Sequence, residues 1–100
     1  MKRIYLAGPM SGLPELNYPA FHTEAARLRA MGYEVANPAD NPEPPCKSWA
    51  GYMRMAIAQL VTCDAIALLP GSGMSRGAVT ELGLAHKLGM RIIYAAEIVV

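Results

Sequence analysis

Charged residues are scarce in this 100-residue chain: Asp, Glu, Lys and Arg make up only 17% of it, and the formal net charge is +1. Its few Lys and Arg residues are scattered, and without a basic run we expect no duplex nucleic acid as a partner. No apolar stretch approaches the roughly 20 residues that cross a bilayer, so we expect no membrane partner either.

Cysteine is equally rare. Cys46 and Cys63 are the two present, and they show neither a metal-site spacing nor the pattern of a disulfide framework. We interpret both as reduced thiols, and we predict no bound metal and no cofactor. The apolar residues of segment 1–7 are too few for a signal-peptide core and run into Gly8 and Pro9, which favour a turn. We therefore expect a cytoplasmic protein.

Hydrophobic residues, by contrast, are abundant, at 53% of the chain. A single domain over residues 1–100 is small, and a domain of this size buries roughly 60–70% of its unfolded surface. We expect part of the apolar excess to be buried between subunits, in a homo-oligomer of two or more copies. A core rich in Ala and Met is the alternative explanation.

Short apolar runs alternate with segments of helical periodicity along the whole chain. The runs are typical of strands covered on both faces and span residues 4–7, 33–36, 65–69 and 91–95, with 98–100 expected to add a short fifth strand. Helices are predicted over 18–31, 49–60 and 76–88. This alternation predicts a single three-layer α/β domain, flavodoxin-like or Rossmann-like, with a mainly parallel sheet of four or five strands.

Ligands of such folds bind beyond the carboxyl ends of the strands, where the strand order reverses. That rule places loops 8–17, 37–47 and 70–75 at the predicted site. The candidate contacts in the first loop are Gly8, Pro9, Met10, Ser11 and Gly12. Its two glycines let backbone amides approach a ligand closely, although a simple strand-to-helix turn is the alternative. Asn37 in the second loop and Gly71 in the third are further candidates.

The third loop leads into the third predicted helix, whose N-terminus offers free N–H groups and the positive end of a dipole. Ser75 can cap this helix, contact a phosphate, or do both, and Gly77 follows it. Glu81 lies six residues beyond Ser75 among apolar neighbours, where its carboxylate can face the carboxyl end of the sheet. A surface-exposed glutamate is the alternative. Tyr5, on the first strand, faces either the core or the site.

Five segments carry a further pattern: Tyr5-Leu6-Ala7-Gly8-Pro9-Met10-Ser11-Gly12, Asn17-Tyr18-Pro19-Ala20-Phe21, Asn37-Pro38-Ala39, Cys63-Asp64-Ala65-Ile66, and Ser75-Arg76-Gly77-Ala78 followed by Glu81. Together they resemble the DUF4406 family of the nucleoside 2-deoxyribosyltransferase-like superfamily. The resemblance covers nearly the whole chain.

The resemblance implies a function and roles for several residues. It implies that Glu81 is a nucleophile that attacks the anomeric carbon of a deoxynucleoside or deoxynucleotide and expels the base, with Tyr5 orienting it. Ser75 matches a serine that contacts the 5′-phosphate in the nucleotide N-hydrolases, which favours a monophosphate ligand. The implied function is that of an N-glycosidic-bond hydrolase or a deoxyribosyltransferase acting on deoxynucleoside monophosphates.

The chain departs from this pattern at Ala56. Members that perform the reaction carry an aspartate eight residues before the aspartate that opens the third strand, which here is Asp64. Alanine cannot protonate a leaving base, and loss of one proton donor typically slows a reaction ~10²–10⁴-fold. Three alternatives follow: an enzyme, a non-catalytic protein that binds or sequesters a nucleotide or ADP-ribose-like ligand, and a structural oligomer with a vestigial site.

Overall fold

Parallel strands and helices alternate along residues 1–99, the part of the chain that the computed structural model describes. The elements are β1 (Arg3–Ala7), α1 (Tyr18–Ala30), β2 (Glu34–Ala36), α2 (Trp49–Leu60), β3 (Ala65–Leu68), α3 (Arg76–Lys87) and β4 (Arg91–Tyr94). The four strands form one sheet in the order β2-β1-β3-β4, and all neighbours are parallel. The predicted three-layer α/β domain with a parallel sheet is confirmed.

The sheet is buried on both faces along β1 and β3, as their continuous apolar sequences predict, whereas β4 at its edge is largely exposed. Alternate residues of β1 point to opposite faces: Ile4 and Leu6 pack against α1, while Tyr5 and Ala7 pack against α2 and α3. The strand order reverses between β1 and β3, because the chain moves from β1 to β2 on one side and then crosses to β3 on the other. The crevice at their carboxyl ends is therefore the expected ligand site.

Ser48 and Ser75 cap the N-termini of α2 and α3, the helices on the sheet face to which Tyr5 and Ala7 point. The Ser48 hydroxyl accepts a hydrogen bond from the Gly51 N–H at 3.0 Å, and the Ser75 hydroxyl accepts one from the Ala78 N–H at 3.3 Å. Both residues are extended and satisfy N–H groups that would otherwise lack a partner in the first turn. The predicted N-caps are confirmed, and the second of them places a helix N-terminus at the crevice.

The predicted fifth strand is wrong for residues 98 and 99, and Val100 lies outside the described residues. A single 3₁₀ turn, Ala95–Glu97, follows β4 instead. The Arg27 guanidinium of α1 donates to the carbonyl oxygens of Ala95 and Ile98 at 2.8 and 2.7 Å. These bonds, together with the burial of Ile98, hold the segment against α1 rather than at the sheet edge.

Within residues 1–99, none of the helices has the length and the apolar character that crossing a membrane requires. The longest, α1, has 13 residues and carries charged side chains along its exposed face.

Candidate functional site

A cavity of about 220 Å³ opens beyond the carboxyl ends of β1, β2 and β3. Its lining comes from the loops that follow these strands and from the first turns of the helices; the residues are Tyr5, Gly8, Met10, Ser11, Leu16, Tyr18, Phe21, Pro38, Asn41, Trp49, Tyr52, Met53, Ala56, Ser75, Gly77, Ala78 and Glu81. Parts of all three predicted loops therefore meet at one hollow, at the point where the strand order reverses.

Glu81 and Tyr5 form a hydrogen-bonded pair that faces this cavity. Glu81, on the second turn of α3, is only 5% exposed, and the fully buried Tyr5 of β1 donates its hydroxyl proton to Glu81 Oε2. The pair joins residues 76 apart in the chain. The alternative of a surface-exposed glutamate is wrong, because α3 packs this side of the helix onto β1.

Burial controls the protonation of both groups. It raises the pKa of Glu81 to about 7, although the hydrogen bond from Tyr5 lowers the pKa in part. Burial, and then the neighbouring charge of Glu81, raise the pKa of the Tyr5 phenol far above its usual range. Tyr5 therefore keeps its proton and acts as a donor, while the Glu81 carboxyl changes charge near neutral pH.

The N-terminus of α3 borders the same cavity through Ser75 and Gly77. The Ser75 oxygen accepts the capping bond, which leaves its O–H free to donate to a ligand. Next to it, the Arg76 guanidinium lies 3.7 Å from the centroid of the Trp49 ring. This cation–π contact fixes the side chain of Trp49 between α3 and the cavity.

The first loop reaches the cavity with only some of its predicted contacts. Gly8, Met10 and Ser11 line it, while Pro9 and Gly12 do not. A Cβ on Gly8 would lie 2.9 Å from Leu69 Cβ, so only glycine allows the backbone to pass this close to the end of β3. Gly12 is exposed at a turn with φ +82°. The carbonyl oxygen of Pro9 accepts a hydrogen bond from the Asn17 side-chain amide.

Asn37 and Gly71 also lie outside the cavity lining. The buried Asn37 side chain accepts the Ala39 N–H at 3.1 Å and is hydrogen-bonded to His22 at 3.2 Å. Its oxygen caps the 3₁₀ turn Pro38–Asp40 and its nitrogen is bonded to His22, so both polar atoms are satisfied within the protein. Gly71, with φ +85°, supplies the left-handed position before another 3₁₀ turn. That Asn37 and Gly71 contact a ligand stays a prediction.

Sequence reasoning missed the aromatic walls of the cavity. Tyr18 and Phe21 of α1 and Trp49 and Tyr52 of α2 face the hollow from two sides. Phe21 belongs at the same time to the core between α1 and the sheet, where it is fully buried. The available signal was position: all four belong to the first turns of helices that follow the predicted ligand loops.

Charge is sparse around the cavity. Among residues 1–99, Glu81 is the only carboxyl that lines it, and no Lys, Arg, His or Cys side chain does. Ala56, where the resemblance predicts a proton donor in active proteins, lines the cavity with a methyl group. Asn41 donates to the Gln59 side chain at 2.8 Å and adds a neutral amide to the wall.

Comparison with known proteins identifies one family. The family model described as a domain of unknown function (DUF4406) matches residues 2–94. This range includes every residue that lines the cavity, from Tyr5 to Glu81. No curated protein matches the chain.

Proposed function

The chain belongs to the DUF4406 family, and we propose that it cleaves the N-glycosidic bond of deoxynucleoside monophosphates, by hydrolysis or by deoxyribosyl transfer. The observation that carries this proposal is the buried Tyr5–Glu81 pair in a cavity with aromatic walls. The resemblance to the nucleoside 2-deoxyribosyltransferase-like superfamily supports it, because Glu81 and Ser75 take the places of the nucleophile and the phosphate contact there.

Glu81 would act in its ionised form. Loss of a base from a sugar passes through an oxocarbenium-like state, which a neighbouring carboxylate stabilises or traps as an ester. Removal from water strengthens this interaction, since Glu81 is almost fully buried. The Tyr5 hydroxyl fixes one carboxylate oxygen, so that the other is free to face the anomeric carbon.

The remainder of the cavity suits the other parts of a nucleotide. Trp49 and Tyr52 offer flat faces on which a base can stack. The Ser75 O–H and the N-terminus of α3 favour an anionic group such as a 5′-phosphate. A cavity that combines an aromatic wall, one carboxylate and a helix N-terminus matches a nucleoside monophosphate in chemical character.

Capture of a nucleotide without cleavage is the second candidate. Ala56 favours it, because the cavity then lacks a carboxylic acid that could protonate a departing neutral base. A sequestering protein needs the aromatic walls and the helix N-terminus, but it does not need an ionised Glu81.

Release of free base from deoxynucleoside monophosphates, followed by chromatography, distinguishes the two candidates. We expect release to increase as pH rises through about 7, because Glu81 must ionise. Glu81→Gln should abolish release, while Glu34→Gln, on an exposed residue at the opposite end of the sheet, should leave it unchanged. Tight binding without release from any nucleotide, including those with a cationic base, supports the sequestering protein, and absence of both binding and release would exclude the two candidates together.

A further inference from the structure

Departure of the base is the step for which this cavity is least equipped. A neutral base leaves as an anion unless an acid protonates it, and glycosidases typically use a second carboxyl group for this purpose. Within residues 1–99, the cavity contains only the Glu81 carboxyl, which is already assigned to the sugar. Phenols are weaker acids than carboxyls by roughly six pKa units, and Tyr5 already directs its proton to Glu81.

We infer that the substrates are nucleotides whose base carries a positive charge at the glycosidic ring system, such as a pyridinium or an N7-alkylated purine. This inference rests on the proposed function and narrows its substrate class. A base of this kind needs no acid, because it becomes neutral as it leaves. Such a substrate requires one carboxylate at the sugar and no acid at the base. The cavity provides the Glu81 carboxyl and, at position 56, only the methyl group of alanine.

The reaction of such a substrate balances in bonds and charge without a proton donor. The bond between C1′ and the ring nitrogen breaks, and its electron pair passes to the base and cancels the positive charge. A Glu81 oxygen forms a bond to C1′. Water then adds to C1′, the ester electron pair returns to Glu81, and the proton of the water is released to solvent.

The walls of the cavity also favour a cation. Aromatic faces attract cations, and Tyr18, Phe21 and Tyr52 line the cavity in addition to Trp49, whose ring is already in contact with the Arg76 guanidinium. These aromatic side chains suit a pyridinium ring better than the sparse hydrogen-bonding groups of the wall suit the edges of a neutral base. A cationic base also offsets the charge of the buried Glu81 carboxylate, which a neutral base leaves uncompensated.

The test uses substrate pairs in which one member has a cationic base and the other a neutral base of nearly the same size. In the ribose series the pair is nicotinamide mononucleotide and its reduced, uncharged dihydro form. In the deoxyribose series it is N7-methylated and unmethylated deoxyguanosine monophosphate. Base release is measured at pH 8, where Glu81 is mostly ionised, and spontaneous release in protein-free blanks is subtracted.

We expect the charged member of at least one pair to be cleaved 10²-fold or more faster than its neutral partner, with the activity lost in Glu81→Gln. Equal or faster cleavage of neutral nucleotides would overturn the inference and leave the proposed glycosidase function intact. No cleavage of any substrate would overturn both. Circular dichroism of Glu81→Gln confirms that the variant is folded.

A second inference comes from β4, the edge strand of the sheet, none of whose residues lines the cavity. Ile92 and Tyr94 are 40% and 61% exposed there. The Arg91 N–H donates to the Asp64 carbonyl beside β3 at 3.1 Å, so the backbone groups of Arg91 point toward β3. Because successive residues of a strand direct their N–H and C=O groups to alternate sides, those of Ile92 and Tyr94 point outward. Edge strands are often protected by charged side chains, proline or a bulge; this four-residue strand, Arg-Ile-Ile-Tyr, has no lysine or proline, and Arg91 is its one charged residue.

We propose that a second copy of the chain pairs with this edge in an antiparallel arrangement, with Ile93 at the two-fold axis. This register places Ile92 opposite Tyr94 of the second copy, so that the outward backbone groups of both residues exchange hydrogen bonds. The two-fold axis also lets Arg91 of one copy face Glu97 of the other, which lies in the 3₁₀ turn after β4 and not on the strand. Both charged residues line the groove beside β4, and within residues 1–99 neither forms an ion pair.

Light scattering after size-exclusion chromatography tests this dimer. We expect a dimer at micromolar concentration, a monomer for Ile92→Lys, and a dimer for Met74→Lys, which places the same charge on an exposed methionine elsewhere. Arg91→Glu should weaken the dimer and Arg91→Glu with Glu97→Arg should restore it. A monomeric parent chain, or an unchanged dimer in Ile92→Lys, would overturn the proposal.

Discussion

Replacing Glu81 with glutamine is expected to stabilise the fold by about 3 kcal/mol above pH 7, although the substitution removes the proposed nucleophile. Burial raises the pKa of Glu81 from 4.5 to about 7. Each pKa unit corresponds to about 1.4 kcal/mol of differential stability between the two protonation states. Glutamine resembles the protonated acid in shape and can still accept the hydrogen bond from Tyr5, so it avoids the cost of a buried charge.

The sign of the pH dependence follows from proton linkage. Between pH 4.5 and 7 the folded chain holds a proton on Glu81 that the unfolded chain has released, so the free energy of unfolding falls as pH rises. The contribution of Glu81 is fully present below pH 4.5 and is lost as pH passes through about 7. The advantage of Glu81→Gln should therefore be near zero at pH 4.5 and reach its maximum above pH 7.

Urea unfolding of both proteins at pH 4.5, 6 and 8 measures this difference. Other titrating groups contribute equally to the two proteins and cancel in the comparison, and Glu34→Gln serves as the exposed control. A constant difference across the three pH values would mean that Glu81 does not titrate near neutrality in the folded protein.

Ala56→Asp is expected to accelerate release of neutral bases by at least ~10²-fold, the typical contribution of a positioned general acid. Ala56 lines the same cavity as Glu81, so an aspartate there can direct its carboxyl into the hollow. Few polar groups surround it, and an apolar environment keeps a carboxylic acid protonated at higher pH. Cleavage of nucleotides with a cationic base should change little, because that reaction needs no proton.

Ala56→Asn is the matched control, since it has the size of aspartate without a proton to transfer. Rates of base release from deoxycytidine monophosphate and from nicotinamide mononucleotide are compared for the parent chain and both variants. If Ala56→Asn increased the rate as much as Ala56→Asp, the gain would come from packing or substrate orientation, and the acid role of this position would be rejected.

The first expectation concerns a carboxyl group that reduces stability at the place where we propose that it serves chemistry. Glu81 is one of the few buried polar residues of the domain, and its charged form is opposed by the surrounding core. Functional sites often contain such unfavourable arrangements, which the remainder of the fold must support. Here that support comes from the apolar contacts of α2 and α3 with the sheet.

The sequence by itself determined the order of strands and helices and both serine caps, because periodicity and capping are local properties of the chain. Ser75 and Glu81 could be placed six residues apart on one helix from their spacing alone. The alternation of elements also predicted which strand ends and loops would surround the candidate site.

Only the tertiary structure decided which side chains line the candidate site. Tyr5 and Glu81 meet because α3 packs on β1 with its Glu81 side toward the strand. The rotation of a helix about its own axis relative to the sheet is not specified by any local sequence pattern. The same packing brings Trp49 to the cavity and leaves Glu81 as its single lining carboxyl among residues 1–99. The direction of the Asn37 side chain was also decided there, because its amide nitrogen bonds to His22 of α1, fifteen residues away, while its oxygen caps the adjacent turn.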